Sequence, residues 1–219
     1  MNVIPSKTMY NVKKKVRSNY CHPSGILGRF MLSKMNHGKS AAMARWGMNY
    51  LSIGRGEMML DIGCGGGANI SRLLKLSPEG YIIGVDISSA AIARSSAHNK
   101  KYISQGRCDL MQASVSSLPF PDGTFSLVTA FNSVPLWPGP TRSFRQVWEV
   151  LNSGGRFLIV NHEYRNHGED VAGLAKLTLD IPHYPAHELE YNLRSAGFKN
   201  IKVFRDAKRH NLCMIAYKS

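Results

Sequence analysis

The stretch Met58-Met59-Leu60-Asp61-Ile62-Gly63-Cys64-Gly65-Gly66-Gly67-Ala68-Asn69-Ile70-Ser71-Arg72-Leu73-Leu74 decides the fold. It reads as a short apolar strand, a glycine-rich turn and then an amphipathic helix. Glycine lets the backbone turn tightly and lets a ligand approach the main chain, and the helix that follows presents backbone N–H groups without intrahelical partners. Working outward, short apolar runs alternate with helix-like stretches, the pattern of an α/β protein with a mostly parallel sheet. Strands are predicted near 58–62, 81–85, 108–113, 125–130, 156–161, 200–205 and 211–217, with helices over 67–76, 88–104, 140–151 and 186–196. Only Asp206-Ala207-Lys208-Arg209-His210-Asn211 joins the last two strands, too short for a helical crossover, so they form an antiparallel pair. The expectation is one doubly wound, seven-stranded sheet with an antiparallel C-terminal hairpin.

The chain has 219 residues, enough for one sizeable core. Residues 1–57 differ in kind from 58–219. Pro23, Gly25 and Gly28 break the chain, and Phe30 to Leu51 then reads as one or two amphipathic helices interrupted at His37-Gly38. This is an N-terminal helical cap belonging to the same domain as the core at 58–219. Lys and Arg number 28 against 14 Asp and Glu, for a net charge of +14. Residues 1–57 hold ten basic residues against Glu57, or +9, and the remaining 162 hold eighteen against thirteen, or +5. Such a surplus predicts attraction to anionic partners and says nothing about fold. No run approaches the roughly 20 apolar residues of a membrane span. The basic residues near the N-terminus precede no apolar stretch of signal-peptide type. Cys21, Cys64, Cys108 and Cys213 lack metal-ligand spacing and read as free thiols, so no metal site and a cytoplasmic location are expected.

Gly63, Gly65 and Ala68 also satisfy the dinucleotide fingerprint G-x-G-x-x-G/A, which leaves a dehydrogenase open. Asp61, at the strand end, would repel a pyrophosphate but suits a cationic amino group, directly or through water. Asp86 ends the second strand nineteen residues after Gly67, where a carboxylate can accept both hydroxyls of an adenosine ribose. Two further segments, Ser117-Leu118-Pro119-Phe120-Pro121-Asp122-Gly123-Thr124-Phe125-Ser126-Leu127-Val128 and Val150-Leu151-Asn152-Ser153-Gly154-Gly155-Arg156-Phe157, have no evident role in a dehydrogenase.

Taken in order, these motifs resemble the class I S-adenosylmethionine-dependent methyltransferases of the UbiE/type-11 group, strongly over residues 55–162 and elsewhere only in strand order. The resemblance implies a Rossmann-like fold, S-adenosyl-L-methionine as cofactor and roles by position. Asp61, Gly63, Cys64, Gly65 and Gly67 would cradle the methionine half, Asp86 the ribose and Ile87 one adenine face. Ser114 and Val115 would border the adenine edge, and Phe131 and Asn132 would line the floor beneath the sulfonium. The chain departs from the family's pattern at Ser114 and Ser126, where relatives often carry Asp.

Methyl transfer from a sulfonium is an in-line displacement that needs alignment, water exclusion and sometimes a base. Asn132-Ser133-Val134-Pro135 lacks the Pro-Pro of enzymes that methylate amino groups of nucleic-acid bases, no cysteine is placed for cytosine methylation, and Asn132 has no acid beside it for a catechol-type metal. Candidate bases are His37 at the break in the cap, and His162 and Glu163 after the fifth strand, on the ligand-binding edge of such sheets. Tyr164 follows them at the same edge, His183 and Tyr184 are candidate substrate contacts, His187 a helix-start residue, and Trp137 either a substrate wall or core. The cap methionines read first as core and second as an adaptable lid. The leading expectation is a methyltransferase acting on a small molecule, for which an anionic acceptor would suit the basic cap. The alternatives are an RNA methyltransferase recruited through that segment and a non-catalytic S-adenosylmethionine binder.

Overall fold

The computed structural model describes residues 37–162 and 184–219. Strands β1 (Met58–Ile62), β2 (Tyr81–Asp86), β3 (Cys108–Gln112), β4 (Phe125–Phe131), β5 (Leu151–His162), β6 (Lys199–Asp206) and β7 (Asn211–Tyr217) form one sheet in the order β3-β2-β1-β4-β5-β7-β6. Pairings among β1 to β5 are parallel, while β7 runs antiparallel to both β5 and β6. The C-terminal hairpin therefore does not simply extend the sheet: its second strand inserts between β5 and its first. Five α-helices are described: α1 (Gly38–Met48), α2 (Ala68–Leu76), α3 (Ser89–Ser104), α4 (Pro140–Val150) and α5 (Ala186–Ser195). None of the described helices is long and apolar enough to cross a membrane.

The central strands are buried on both faces, which is why they read as continuous apolar runs rather than alternating ones. On one face Met43, Met48, Ile70, Leu73 and Leu74 of α1 and α2 close over Met59, Leu127 and Val160. On the other, Phe144 and Val147 of α4 and Leu189 and Leu193 of α5 pack with Phe125, Phe157 and Phe198. Trp137 is buried there, its ring stacked 6.0 Å from that of Phe157, so it is core and not a substrate wall. Met43 and Met48 are likewise core.

Element boundaries agree with the sequence reading to within two residues except at β5 and the cap. The strand expected from 156 begins at Leu151, directly after α4. Leu151 pairs with Phe125, and the ladder resumes at Leu127 and Arg156, so residues 152–155 bulge out between them. Asn152-Ser153-Gly154-Gly155 is turn chemistry, and the chain end satisfies it: Gly154 N–H donates to Lys218 O (2.8 Å) and Lys218 N–H to Gly155 O (2.9 Å). In the cap, the break at His37-Gly38 becomes the start of α1, which ends at Met48 rather than Leu51. Residues 30–36 lie outside the described part. Gly47 faces Val160 of β5 so closely that a Cβ there would come within 2.4 Å of its methyl, and this seats α1 on the sheet.

Candidate functional site

The turn between β1 and α2 lies at the carboxyl edge of the sheet. Gly63, Gly65 and Gly67 have φ of +74°, +52° and +79°, the left-handed region that glycine enters without steric cost. Two of them also lack room for a side chain: a Cβ would sit 2.5 Å from Ser133 Cβ at Gly63 and 2.3 Å from Ser95 Oγ at Gly67. Asn99 completes the support. It is fully buried at a kink in α3, and its Nδ2 donates to Gly67 O and to Ser95 O, both at 3.0 Å. The turn is thus held from outside by α3 and by the residue after Asn132. At its end α2 starts with no side-chain cap and no acid in its first turn, leaving N–H groups and a positive dipole end available to an anion.

Two carboxylates flank this turn. Asp61 is 2% exposed and accepts from Thr129 Oγ1 at 2.7 Å across the β1–β4 pairing. Burial pushes its pKa up to about 7; the Thr129 hydroxyl opposes the shift and the nearby Asp86 charge adds to it. A cationic group beside Asp61 would favour the ionised form. Asp86, at the end of β2, accepts from Gly65 N–H at 3.0 Å through one oxygen and from Ser88 N–H at 2.9 Å through the other. A carboxylate oxygen can accept more than one hydrogen bond, so the group at this position is of the type that receives hydroxyl donors. Together the site can hold an anion on α2, a cation near Asp61 and a diol on Asp86.

The other expected residues fall in several environments. Cys64 turns its thiol into the core, its N–H donates to Val85 O at 3.0 Å, and burial raises the thiol pKa well above the usual range. Ile87 is 42% exposed beyond β2, its carbonyl held by Gln112 Nε2 at 2.9 Å. Ser114 Oγ accepts from Ser116 N–H at 3.2 Å, while Val115 is buried beside Ile62 and Val85. Phe131 is buried at the end of β4. Asn132 follows it with φ +54°; its N–H donates to Val160 O at 2.8 Å and its Oδ1 accepts from His162 N–H at 2.9 Å, clamping the ends of β4 and β5. His162 is therefore brought to the same edge. Burial holds its pKa below that of a free imidazole, with the Asn211 side chain pulling upward and Lys39 pushing down. His37 is exposed at the start of α1. Glu163, Tyr164 and His183 lie outside the described residues. Tyr184 and His187 flank the start of α5, and burial raises the Tyr184 pKa.

Sequence reasoning missed Ser95, Asn99, Thr129 and Ser133, the residues that hold the turn and Asp61. Ser95 and Asn99 carried a readable signal, polar residues four apart on a helix face that must be buried. Ser126 is now explained: its hydroxyl donates to Glu57 and accepts from Met58 N–H (3.2 Å), while Arg156 pairs with Glu57 at 2.6 Å. It is a half-buried junction at the opposite end of β1 from the site.

Residues 60–159 match the family model described as "Methyltransferase domain". An uncharacterized methyltransferase YdaC of Bacillus subtilis (strain 168) is 25% identical over 55% of this chain and 65% of its own length. The ubiquinone/menaquinone biosynthesis C-methyltransferase UbiE of Pasteurella multocida (strain Pm70) is 26% identical over 68% of this chain and 56% of its own. The chain thus spans less than two thirds of the length of either relative. A crystal structure of a SAM dependent methyltransferase from Aquifex aeolicus superposes with a TM-score of 0.72 at 15% identity, covering 86% of this chain and 97% of that one. Residues 60–159, just under half of the chain, thus carry a methyltransferase domain, and the strand order and carboxyl-edge turn are those of the Rossmann-like methyltransferase fold.

Proposed function

We propose that this protein transfers the methyl group of S-adenosylmethionine to a small-molecule acceptor. The observation that carries the cofactor assignment is the pair of carboxylates around the glycine turn, with Asp61 buried and held by Thr129 and Asp86 fixed by Gly65 and Ser88. In this reading the start of α2 holds the cofactor's carboxylate, Asp61 favours its ammonium and Asp86 accepts from the ribose hydroxyls. Ile87, Ser114 and Val115 border the adenine, and Phe131 and Asn132 lie beneath the reacting centre. When bound, the cofactor supplies an electrophilic methyl on a sulfonium that leaves as a neutral thioether. The protein's own share is to exclude water, align the acceptor and accept its proton. His162 is suited to the last of these, because a desolvated imidazole is neutral near pH 7 and can take a proton from an acceptor O–H or N–H. A small-molecule acceptor is supported by UbiE, whose name ties it to ubiquinone and menaquinone.

Calorimetry with S-adenosylmethionine, followed by transfer of labelled methyl to a small-molecule library and to total RNA, tests this reading. Binding together with label in small molecules is expected; no binding, or label in RNA alone, overturns it. His162→Gln should lower kcat with little change in cofactor affinity, and an unchanged kcat removes it as the base.

A further inference from the structure

The two helical layers differ sharply in charge. Layer one, α1, α2 and α3, contains seven basic residues and no Asp or Glu. Layer two, α4 and α5, balances Arg142, Arg145 and Arg194 against Glu149, Glu188 and Glu190. In layer one Lys39, Arg45, Lys75, Arg94, Lys100 and Lys101 are exposed, and Arg72 lies partly buried among them. The three helices form one surface: α1 packs against α2 and α2 against α3. Their charges face one another. Burial first and then Arg45 disfavour the charge on Arg72, and burial first and then Arg72, Arg94, His37 and Lys75 disfavour a proton on His98. Mutual repulsion of this kind destabilises the isolated fold slightly and is relieved by a polyanion. Residues 1–37, which lead into α1, add no acid at all.

We propose that the α1–α2–α3 face is a docking surface for single-stranded RNA, held through its phosphates, whatever acceptor the active site methylates. A strand of regularly spaced phosphates matches a face of this extent. Helices packed about 8–10 Å apart make it roughly 20 Å across, and the 16 residues of α3 make it about 24 Å long. Ser71 Oγ lies 3.4 Å from His98 Nε2 on this face, and serine hydroxyls accompany Arg and Lys on phosphate oxygens. An anionic bilayer fits less well, because these helices turn their apolar residues into the core. Their exposed large apolar side chains, Leu76 and Ile103, lie at or near the helix C-termini and not among the central cations.

Fluorescence anisotropy of the full chain with a labelled uridine oligomer of about 20 nucleotides tests the proposal. Affinity is expected to fall steeply from about 50 to about 200 mM salt, as phosphate neutralisation requires. The triple variant Arg45→Ala/Arg94→Ala/Lys101→Ala should bind about tenfold more weakly or worse, with a log–log salt slope flatter by about two. Arg142→Ala, on the opposite layer, should change binding less than about twofold. Melting and cofactor affinity of the triple variant, which alters exposed positions, verify that it is folded. Absent or salt-insensitive RNA binding, a triple variant that binds like the parent, or binding to phosphatidylglycerol vesicles without binding to RNA would each overturn it.

Discussion

In the proposed function Asp61 makes cofactor binding a proton-linked event, and the size of the effect follows from its surroundings. Its carboxyl is buried and its pKa stands at about 7 against an ordinary 3.8, a difference of roughly three units. At about 1.4 kcal/mol per unit this amounts to ~4 kcal/mol of pH-dependent stability at most. The sign is fixed by proton counts. Between about pH 4 and 7 the unfolded chain has released this proton while the folded one keeps it, so stability falls as pH rises through that window and levels off above it. A bound ammonium reverses the preference and expels the proton. Binding at pH 6 should release most of a proton, whereas at pH 8.5 Asp61 has none to release and the cofactor's amino group, largely neutral there, takes one up, measured by calorimetry in buffers of different ionisation enthalpy. Asp61→Asn should abolish the release at pH 6, raise Tm at pH 8.5 and weaken S-adenosylmethionine binding by about 10- to 100-fold, the loss of a charge-assisted contact of ~1.5–3 kcal/mol. Proton release equal at both pH values, or unchanged in Asp61→Asn, would refute the reasoning. Thr129→Val supplies a second check, since losing the 2.7 Å bond to Asp61 should move the release window to higher pH.

Other perturbations probe the supports of the site. Gly67→Ala pushes a methyl into Ser95 and Asn99 at a left-handed position, so it should cost about 1–3 kcal/mol and weaken cofactor binding; a thermal melt and a titration read both. Gly47→Ala, which in an open helix would stabilise by about 1 kcal/mol, should instead lower Tm, because Val160 occupies the space; a rise would show α1 able to lift off the sheet. Ser126→Ala should cost about 1–2 kcal/mol with cofactor affinity unchanged. Burial opposes ionisation of Glu57, but Ser126, Arg156 and the Gly54 N–H hold its pKa below 4.5. Its contribution is therefore present above that value and lost as pH falls through the folded pKa, and the variant's acid unfolding branch should be shallower.

Much of this protein was legible in one dimension. Apolar runs, their spacing and the glycine turn after Ile62 are local signals, because backbone geometry imposes a period on each element whatever lies beyond it. Asp86 was readable for the same reason, since a strand must end where its apolar run ends. The partners that hold the site were not. Asn99 meets Gly67 across thirty-two residues and Thr129 meets Asp61 across sixty-eight, and nothing in the intervening chain encodes either approach. Placement of β7 between β5 and β6 is equally invisible, because four linking residues specify a hairpin but not which of its strands faces the sheet. The charge followed the same division. Composition counted +14, and only packing showed that α1, α2 and α3 gather seven cations without an acid on one face while α4 and α5 balance theirs on the other. Sequence fixes what each element carries, whereas which elements share a face depends on long-range burial of their apolar sides.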